Sequence, residues 1–492
     1  MLAMFAASVA GMSPAAADPP ASAGLALTPQ GAREDLELAI SAVEAGLPDI
    51  HWHQSARQWR RAKNEARSRI EGVADSEMLW RVLRPLMSQI GEGHLSLRVS
   101  DAMALHYREA VRFPLDILWT EQGAFVIAAY GPAADIPKGT RLLAIDGRGT
   151  AAILDDAVEV IPHDGIIRTG VMRDLSGRGL ASTLFRLYGP KDLFHITVDI
   201  NGKRVERDVV AVPRTARPPE PDGASPLPTL EWLDPSTAYL NVPTFSNTRL
   251  KAVGADYREA IHTLFTRLEE GGARNLILDL RENGGGSEPN EAILFSYLVD
   301  DPLRRYAYVE ARGRHVAARS LTGTRFEREV FDSEEMRGQR RIRRGRLTRR
   351  NIPPEGLMSS WTRSSPAFRG RLVVLAGGNT FSGGAELASM LYHVRRAMFV
   401  GEEVAGTHEG NTSGYRWAIT LPNSGMTLTI PLLKFRMAWP GLPHDRGVRP
   451  DCFAPPDVME AGVRRDHAWR LAVALASEPS PLPSRACPPG VR

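Results

Sequence analysis

Ser382 is the residue whose surroundings best suit chemistry. It precedes two glycines, Gly383 and Gly384, and follows the apolar run Leu372–Ala376. This order predicts a buried strand, a sharp turn that presents the serine, and a helix that begins directly after it. A serine on such a turn can attack a carbonyl carbon if a base takes its proton and if N–H groups bind the developing oxyanion.

A second glycine-rich turn could supply those N–H groups. The apolar run Leu276–Leu280 ends in a polar turn with three consecutive glycines, residues 284–286. Parallel strands of one sheet bring their carboxyl-terminal loops side by side, where ligands bind in open α/β sheets. We therefore expect the N–H groups of Gly285 and Gly383 to form an oxyanion hole, with Gly284 in contact with the substrate.

Four motifs occur in order along the chain: DLRENGGG, TFSGGAELA, VGEEVAG and GVRPD. Together they resemble peptidase family S41, which holds the tail-specific (C-terminal processing) proteases and the tricorn-type serine proteases. The resemblance covers about residues 35–454. It implies a multi-domain α/β chain whose catalytic domain is ClpP/crotonase-like, and a peptidase that needs no cofactor.

The base that activates Ser382 is predicted to be a histidine. Tail-specific members use a lysine, but this chain has Thr407 at the corresponding position, and the one lysine after Ser382 is Lys434. The phrase GEGHLSL matches a phrase of the tricorn-like members, so the resemblance implies His94 as the base. Imidazole suits this role because it takes up and returns a proton near neutral pH. The structural alternative is that His94 caps a buried strand.

His408 is the competing histidine, since it lies one residue past the lysine position of the family. We expect it to line the same cleft and to bind substrate. The histidines show no ligand spacing typical of zinc proteins, so the sequence predicts no metal site.

An acid should orient the base. Tricorn-like members place a glutamate shortly before the GVxPD phrase, but no glutamate stands directly ahead of GVRPD in this chain. Asp445 is therefore the predicted orienting acid, with Glu409 as the alternative. Glu402 is expected to be structural, and Asp279 and Arg281 are expected to brace the glycine loop.

Composition and charge narrow the class of protein. The chain has 492 residues, of which 43% are hydrophobic and 24% charged, as in ordinary globular proteins of two or three domains. The net charge of +4 is too small to indicate a nucleic-acid partner. The basic run 337–350 is interpreted as a solvated loop, with an acidic partner as the alternative.

The segments that must position these residues follow in order. We predict a signal peptide (1–17), an N-terminal helical domain (28–100), a β-rich PDZ-like domain (113–213), a linker (214–228), the S41-like catalytic domain (229–456), and a C-terminal helix and tail (457–492). The helical segment ends in the turn that carries His94. The PDZ-like segment contains a hairpin with an Asn201-Gly202 turn; it either binds an extended peptide as an added strand or serves as a spacer.

The first residues predict export. Residues 1–17 are short and apolar and end in three alanines, which is typical of a cleaved signal peptide with the cut after Ala17. The mature protein is then periplasmic or secreted, and no segment is long enough to span a membrane. Cys452 and Cys487 could form a disulfide in such a compartment or remain free thiols.

Two functions follow from these residues. The first is a serine peptidase that cleaves peptides or unfolded proteins through an acyl-enzyme. The alternative is an exported scaffold that binds peptides through its PDZ-like domain and has a degenerate catalytic site.

Overall fold

The computed structural model describes most of the chain. It covers residues 25–219, 225–301, 303–330, 340–343, 346–349, 359–439, 441, 443–478 and 487. The predicted signal peptide, part of the predicted linker, part of the basic run and most of the Pro-rich end lie outside these residues. Among the described helices, none combines the length and the apolar character that crossing a membrane requires.

The N-terminal region is helical, as predicted, with helices Pro29–Gly46, Ala56–Arg69 and Ser76–Ser88. Each helix follows a polar residue (Thr28, Ser55 or Asp75) whose side chain accepts a hydrogen bond from a backbone N–H of the first turn. The short strand Ser96–Arg98 comes next and pairs antiparallel with the strand Thr427–Met437. This pairing fixes the turn that carries His94 against the catalytic region.

The β-rich region contains one antiparallel sheet and three α-helices. Its strands are Leu115–Thr120, Gly123–Ala129, Arg141–Ile145, Arg148–Gly149, Leu193–Ile200 and Lys203–Val210, and its helices are Thr150–Val158, Thr169–Leu175 and Gly179–Tyr188. The sequence pattern also predicts a hairpin over 117–130, and this hairpin and the one at Asn201-Gly202 are both confirmed. Asn201 and Gly202 have φ values of +54° and +80°, as a type I′ turn requires, and Ile200 pairs with Lys203 across it.

The catalytic region is built on a six-stranded sheet. The strand order is Cys452–Phe453, Met398–Gly401, Arg371–Ala376, Asn275–Asp279, Thr237–Asn241 and Thr229–Asp234. All neighbours are parallel except the last pair, and this confirms the predicted parallel α/β sheet. Alternate side chains point to opposite faces: Leu276 and Leu278 belong to the main core, whereas Ile277 packs beside the helix His467–Ser477.

The other described α-helices of this region are Asn247–Lys251, Tyr257–Glu270, Asn290–Leu298 and Gly383–His393. The last of these begins directly after Ser382, as predicted. The two strands that precede the glycine turns, Asn275–Asp279 and Arg371–Ala376, are direct neighbours. Their carboxyl ends therefore lie at the same edge of the sheet.

A second, antiparallel sheet contains the long strands Gly410–Thr420 and Thr427–Met437. The sequence pattern predicts a hairpin of the segments 416–421 and 426–435, and it is confirmed, although its strands are longer than expected. The basic run 337–350 was interpreted as a solvated loop, and this is wrong for its described residues, which form two paired strands within a longer β-rich segment. The strands Tyr306–Ala311, His315–Arg319, Arg325–Glu329, Arg340–Arg343 and Arg346–Arg349 all form pairs. Their arginine content hides the alternating pattern on which a strand prediction depends.

The C-terminal helix is shorter than predicted. The sequence pattern predicts a helix over 458–476, but the helix covers His467–Ser477, because the Asp466 side chain accepts a hydrogen bond from the N–H of Trp469 and so sets its start. Cys452 and Cys487 form a disulfide with a Cα–Cα distance of 4.9 Å. The fold is thus a multi-domain α/β architecture, while the exact domain boundaries stay predictions.

Candidate active site

Ser382 lies in the turn between the strand Arg371–Ala376 and the helix Gly383–His393. Its φ and ψ values are +51° and −126°, a conformation that is strained for a residue with a side chain. Hydrogen bonds hold the turn in place: the Thr380 hydroxyl donates to the carbonyl of Leu280 and accepts from the N–H of Gly377. A strained nucleophile held in this way is the arrangement of the hydrolase nucleophile elbow.

His94 contacts this serine. Its Nε2 atom lies 3.1 Å from the Ser382 Oγ atom, within hydrogen-bond distance. The imidazole stacks on the ring of Phe381 with centroids 4.7 Å apart. A Cβ atom at Gly93 would lie 2.7 Å from the Phe381 ring, so the glycine allows this stacking. The two predicted residues are thus brought together from opposite ends of the chain.

The other nitrogen of His94 has no such partner. The Nδ1 atom is buried and makes no hydrogen bond within the described part of the chain. Burial and the positive charge of Arg416 lower the pKa of His94 to about 4, because both disfavour the imidazolium. The ring is therefore neutral near pH 7 and able to accept the serine proton.

Asp445 was predicted to orient His94, but its carboxylate contacts two other histidines. Its carboxylate is 2.5 Å from the Nδ1 atom of His53 and 3.2 Å from the Nε2 atom of His444. The alternative acid, Glu409, is buried and pairs with His444 and Arg436. Neither carboxylate hydrogen-bonds to His94 in this arrangement. The sequence could not reveal this, because His53 is even farther from Asp445 along the chain than His94 is.

The glycine loop lies against the serine turn, as expected. A Cβ atom at Gly285, whose φ is +89°, would lie 2.7 Å from the Ser382 Cβ atom and 2.8 Å from the Gly383 nitrogen. However, the Gly285 N–H donates to the side-chain oxygen of Asn283 over 2.9 Å. This hydrogen bond competes with the predicted role of Gly285 as an oxyanion donor. Gly284 is exposed and lies farther from the serine turn.

Two other candidate bases are placed away from the serine. His408 was expected to line the cleft and bind substrate, but its side chain is buried, with Nδ1 3.4 Å from the hydroxyl of Ser389. Lys434 is also buried and pairs with Asp49 at 2.6 Å, with its ammonium over the ring of Trp52. This pairing agrees with the preference for histidine over lysine as the base.

The residues that were expected to be structural all form ion pairs. Asp279 is buried and binds the Arg281 side chain, which also reaches Asp466. Glu402 is buried 3.6 Å from the Arg173 guanidinium. Burial raises the pKa of Glu402, although the Arg173 charge acts against this.

Sequence reasoning missed two residues that hold the site together. Asn283 donates to the Val242 carbonyl, and its own carbonyl accepts from the N–H of Phe381, so it joins the glycine loop to the serine turn. Asp164, from the β-rich region, accepts a hydrogen bond from the N–H of Gly93 over 2.7 Å. Burial raises the pKa of Asp164 to about 6. No local sequence signal marks Asp164, since its role depends on how the regions dock.

The family model for peptidase family S41 matches residues 236–453, which include both glycine turns and Ser382. This part of the chain therefore matches peptidase family S41. Members of this family are serine peptidases, and the resemblance drawn from the four motifs is confirmed. No curated protein sequence matches the chain.

Solved structures show the same fold. The chain is similar to mature CPAF, with 15% sequence identity, coverage of 88% of this chain and 94% of that chain, and a TM-score of 0.61. For mature CPAF complexed with lactacystin the identity is 15%, the coverage 88% and 95%, and the TM-score 0.62. A CPAF point mutant gives 13% identity, coverage of 92% and 99%, and a TM-score of 0.62. At these identities the likeness concerns the fold alone.

Proposed function

We propose that this chain is an exported serine peptidase that cleaves peptides or unfolded proteins through an acyl-enzyme. The observation that carries the proposal is the 3.1 Å contact between the His94 Nε2 atom and the Oγ atom of Ser382, a serine held in a strained turn. A nucleophile and a base at hydrogen-bond distance are the minimum that such chemistry needs.

The mechanism uses these two residues. Neutral His94 removes the proton of Ser382 while the Oγ atom attacks the scissile carbonyl carbon. His94 then returns the proton to the leaving amine, and water releases the acyl group by the reverse steps. Asp445 has no direct part in this scheme, because its carboxylate serves His53 and His444.

The oxyanion would be bound by backbone N–H groups. Gly383 is our first donor, since it follows Ser382 at the start of a helix, where N–H groups point outward and the dipole favours negative charge. Gly285 is the second donor, and it can act only when its N–H leaves the Asn283 side chain.

Export and peptide binding extend the proposal. The disulfide between Cys452 and Cys487 suits an oxidising compartment, in agreement with the signal peptide expected at residues 1–17. A cavity of about 210 Å³ in the β-rich region, lined by Ile145, Ile153 and Leu184 among others, supports a PDZ-like role in holding a peptide.

The second candidate function is a peptide-binding scaffold without hydrolytic activity. Two observations favour it: the His94 Nδ1 atom lacks a partner among the described residues, and the Gly285 N–H is already hydrogen-bonded. A general base without an orienting acid is weaker, because nothing stabilises the imidazolium that forms.

Turnover of unfolded casein by the wild type and by the Ser382→Ala variant separates the two functions. The peptidase requires cleavage by the wild type and background cleavage by the variant, with both proteins folded. Equal background rates for both, together with saturable binding of casein, would favour the scaffold.

A further inference from the structure

A cluster of two histidines and two carboxylates lies outside the Ser382–His94 pair. It comprises His53, Glu409, His444 and Asp445, and one ligand atom from each residue lies within 4.8 Å of the other three. The side chains of His53 and Glu409 are buried, that of Asp445 is partly exposed, and that of His444 is exposed. The cluster can therefore be reached from solvent on the side of His444.

The side chains already face one another. The Nδ1 atom of His53 lies 2.5 Å from Asp445, and the two nitrogens of His444 lie 2.7 Å from Glu409 and 3.2 Å from Asp445. A tetrahedral zinc site with bonds of about 2.0–2.2 Å separates its ligand atoms by roughly 3.3–3.6 Å. Shifts of about an ångström, in the His53–Asp445 contact and in the His444–Glu409 contact, would open the cluster to these distances.

We propose that His53, Glu409, His444 and Asp445 bind one divalent transition-metal ion. Two imidazoles and two carboxylates form a donor set that suits Zn²⁺. Two carboxylates also balance the double charge of the ion. Arg436 pairs with Glu409 and would remain beside it, holding the carboxylate in place.

Glu92 supplies an independent reason for this assignment. Its carboxylate is buried, and its Oε1 atom has no hydrogen-bond partner within the described residues. This atom lies 3.8 Å from the Nε2 atom of His53. When a metal takes Nδ1 of His53, the ring proton must lie on Nε2, which then faces Glu92. Metal binding thus gives a buried carboxylate the donor that it lacks, in the carboxylate–histidine–metal arrangement common in zinc proteins.

The proposed site is linked to the segment that carries the candidate base. Glu92 lies two residues before His94. The side chain of His53 packs against Gly91, and the carbonyl of Asp445 accepts a hydrogen bond from the N–H of Ile166. An ion at this site would order the turn that precedes His94.

The sequence predicted no metal site because it contains no ligand spacing to recognise. Three separate segments contribute the four residues, and only His444 and Asp445 are neighbours in sequence. A zinc-finger type of sequence signal consists of two short motifs, each with two closely spaced ligands, and this chain has no such pair among the four residues.

The test is a calorimetric titration of the full chain with ZnCl₂, using protein without a polyhistidine tag and freed of metal by a chelator. We expect one ion per chain. His444→Ala removes an exposed ligand at little risk to folding and should weaken binding by about 100-fold or more, since even changes outside the ligand shell cost 10–100-fold. His51→Ala, an exposed histidine close by in sequence, is the matched control and should bind as the wild type does.

A second variant tests the role of Glu92. Glu92→Gln should weaken Zn²⁺ binding by about 10–100-fold while the thermal unfolding temperature without metal changes little. Absence of saturable binding to the wild type, or equal affinities for the wild type and His444→Ala, would overturn the proposal. The titration does not depend on peptidase activity, so its failure leaves the function proposed for Ser382 intact.

Discussion

The Nε2 atom of His94 lies 3.1 Å from the Oγ atom of Ser382, although 288 positions separate the two residues in the sequence. Two features make this contact possible. The strand Ser96–Arg98 pairs antiparallel with the strand Thr427–Met437, and the ring of Phe381 stacks against the imidazole of His94. The candidate site is therefore assembled by the docking of the N-terminal region on the catalytic region.

Gly285 should tolerate no side chain. We expect Gly285→Ala to lower kcat/KM by on the order of 10²–10³-fold, which is the typical cost of losing an oxyanion donor. The added Cβ atom would lie 2.7 Å from Ser382 and would force the glycine loop away from it. Peptide hydrolysis, measured on protein shown by circular dichroism to be folded, checks the result.

Gly284→Ala is the matched control. At Gly284 the nearest atom to an added Cβ is the Asn379 carbonyl oxygen at 4.0 Å, so this variant should keep activity within a few-fold of the wild type. Equal losses in the two variants would show that the loop matters for folding and not for the contact with Ser382.

Phe381 should affect catalysis by holding the imidazole of His94 in place. We expect Phe381→Ala to lower kcat by on the order of 10²-fold, the cost of about 1 Å of misplacement of a catalytic group, and Phe381→Leu to have a smaller effect. Phe113→Leu, at a buried position of the β-rich region, controls for the loss of packing. If Phe113→Leu and Phe381→Leu reduce kcat equally at a temperature where both are folded, the stacking has no specific role.

The fold and the serine turn were predictable because their signals are local. An apolar run followed by glycines predicts a strand and a turn, and the helix after Ser382 follows from the same pattern. The contacts of Asn283 and Asp445 were not predictable. The Asn283 side chain accepts the hydrogen bond of the Gly285 N–H, and no local pattern marks this contact. Asp445 contacts His53 instead of His94, and this pairing depends on how distant segments dock.

The pH dependence of the acylation rate should reflect the lowered pKa of His94. The pKa of His94 is lowered from 6.5 to about 4 by burial and by the Arg416 charge, so the base stays neutral well below pH 6. We expect the rate of acylation to hold as the pH falls from 8 to about 5 and to decrease only near pH 4. A half-maximal rate at pH 6.5 or above would contradict this.

The lowered pKa of His94 also affects the free energy of unfolding. Between about pH 4 and 6.5 the unfolded chain binds a proton at His94 that the folded chain does not, so this residue makes folding less favourable as the pH falls through that window. Denaturant unfolding of the wild type and of His94→Gln at pH 5 and pH 7.5 measures the effect. The variant should lose less free energy of unfolding on acidification than the wild type does.

The disulfide should stabilise the end of the catalytic region. It closes a loop of 35 residues, for which the chain-entropy model gives about 4 kcal/mol. Dithiothreitol should lower the unfolding temperature of the wild type and leave that of a Cys452→Ala, Cys487→Ala double variant unchanged. Two free thiols in the unreduced, denatured wild type would show that the bond does not form.

The central claim is that His94 activates Ser382, and covalent labelling tests it most directly. The full chain is treated with a fluorophosphonate, and the adduct is located by peptide mass spectrometry for the wild type and for His94→Ala. We predict a single adduct on Ser382 in the wild type and a rate of labelling lower by about 10²–10⁴-fold in the variant. An adduct on another residue, or equal rates of labelling in both proteins, would contradict the account.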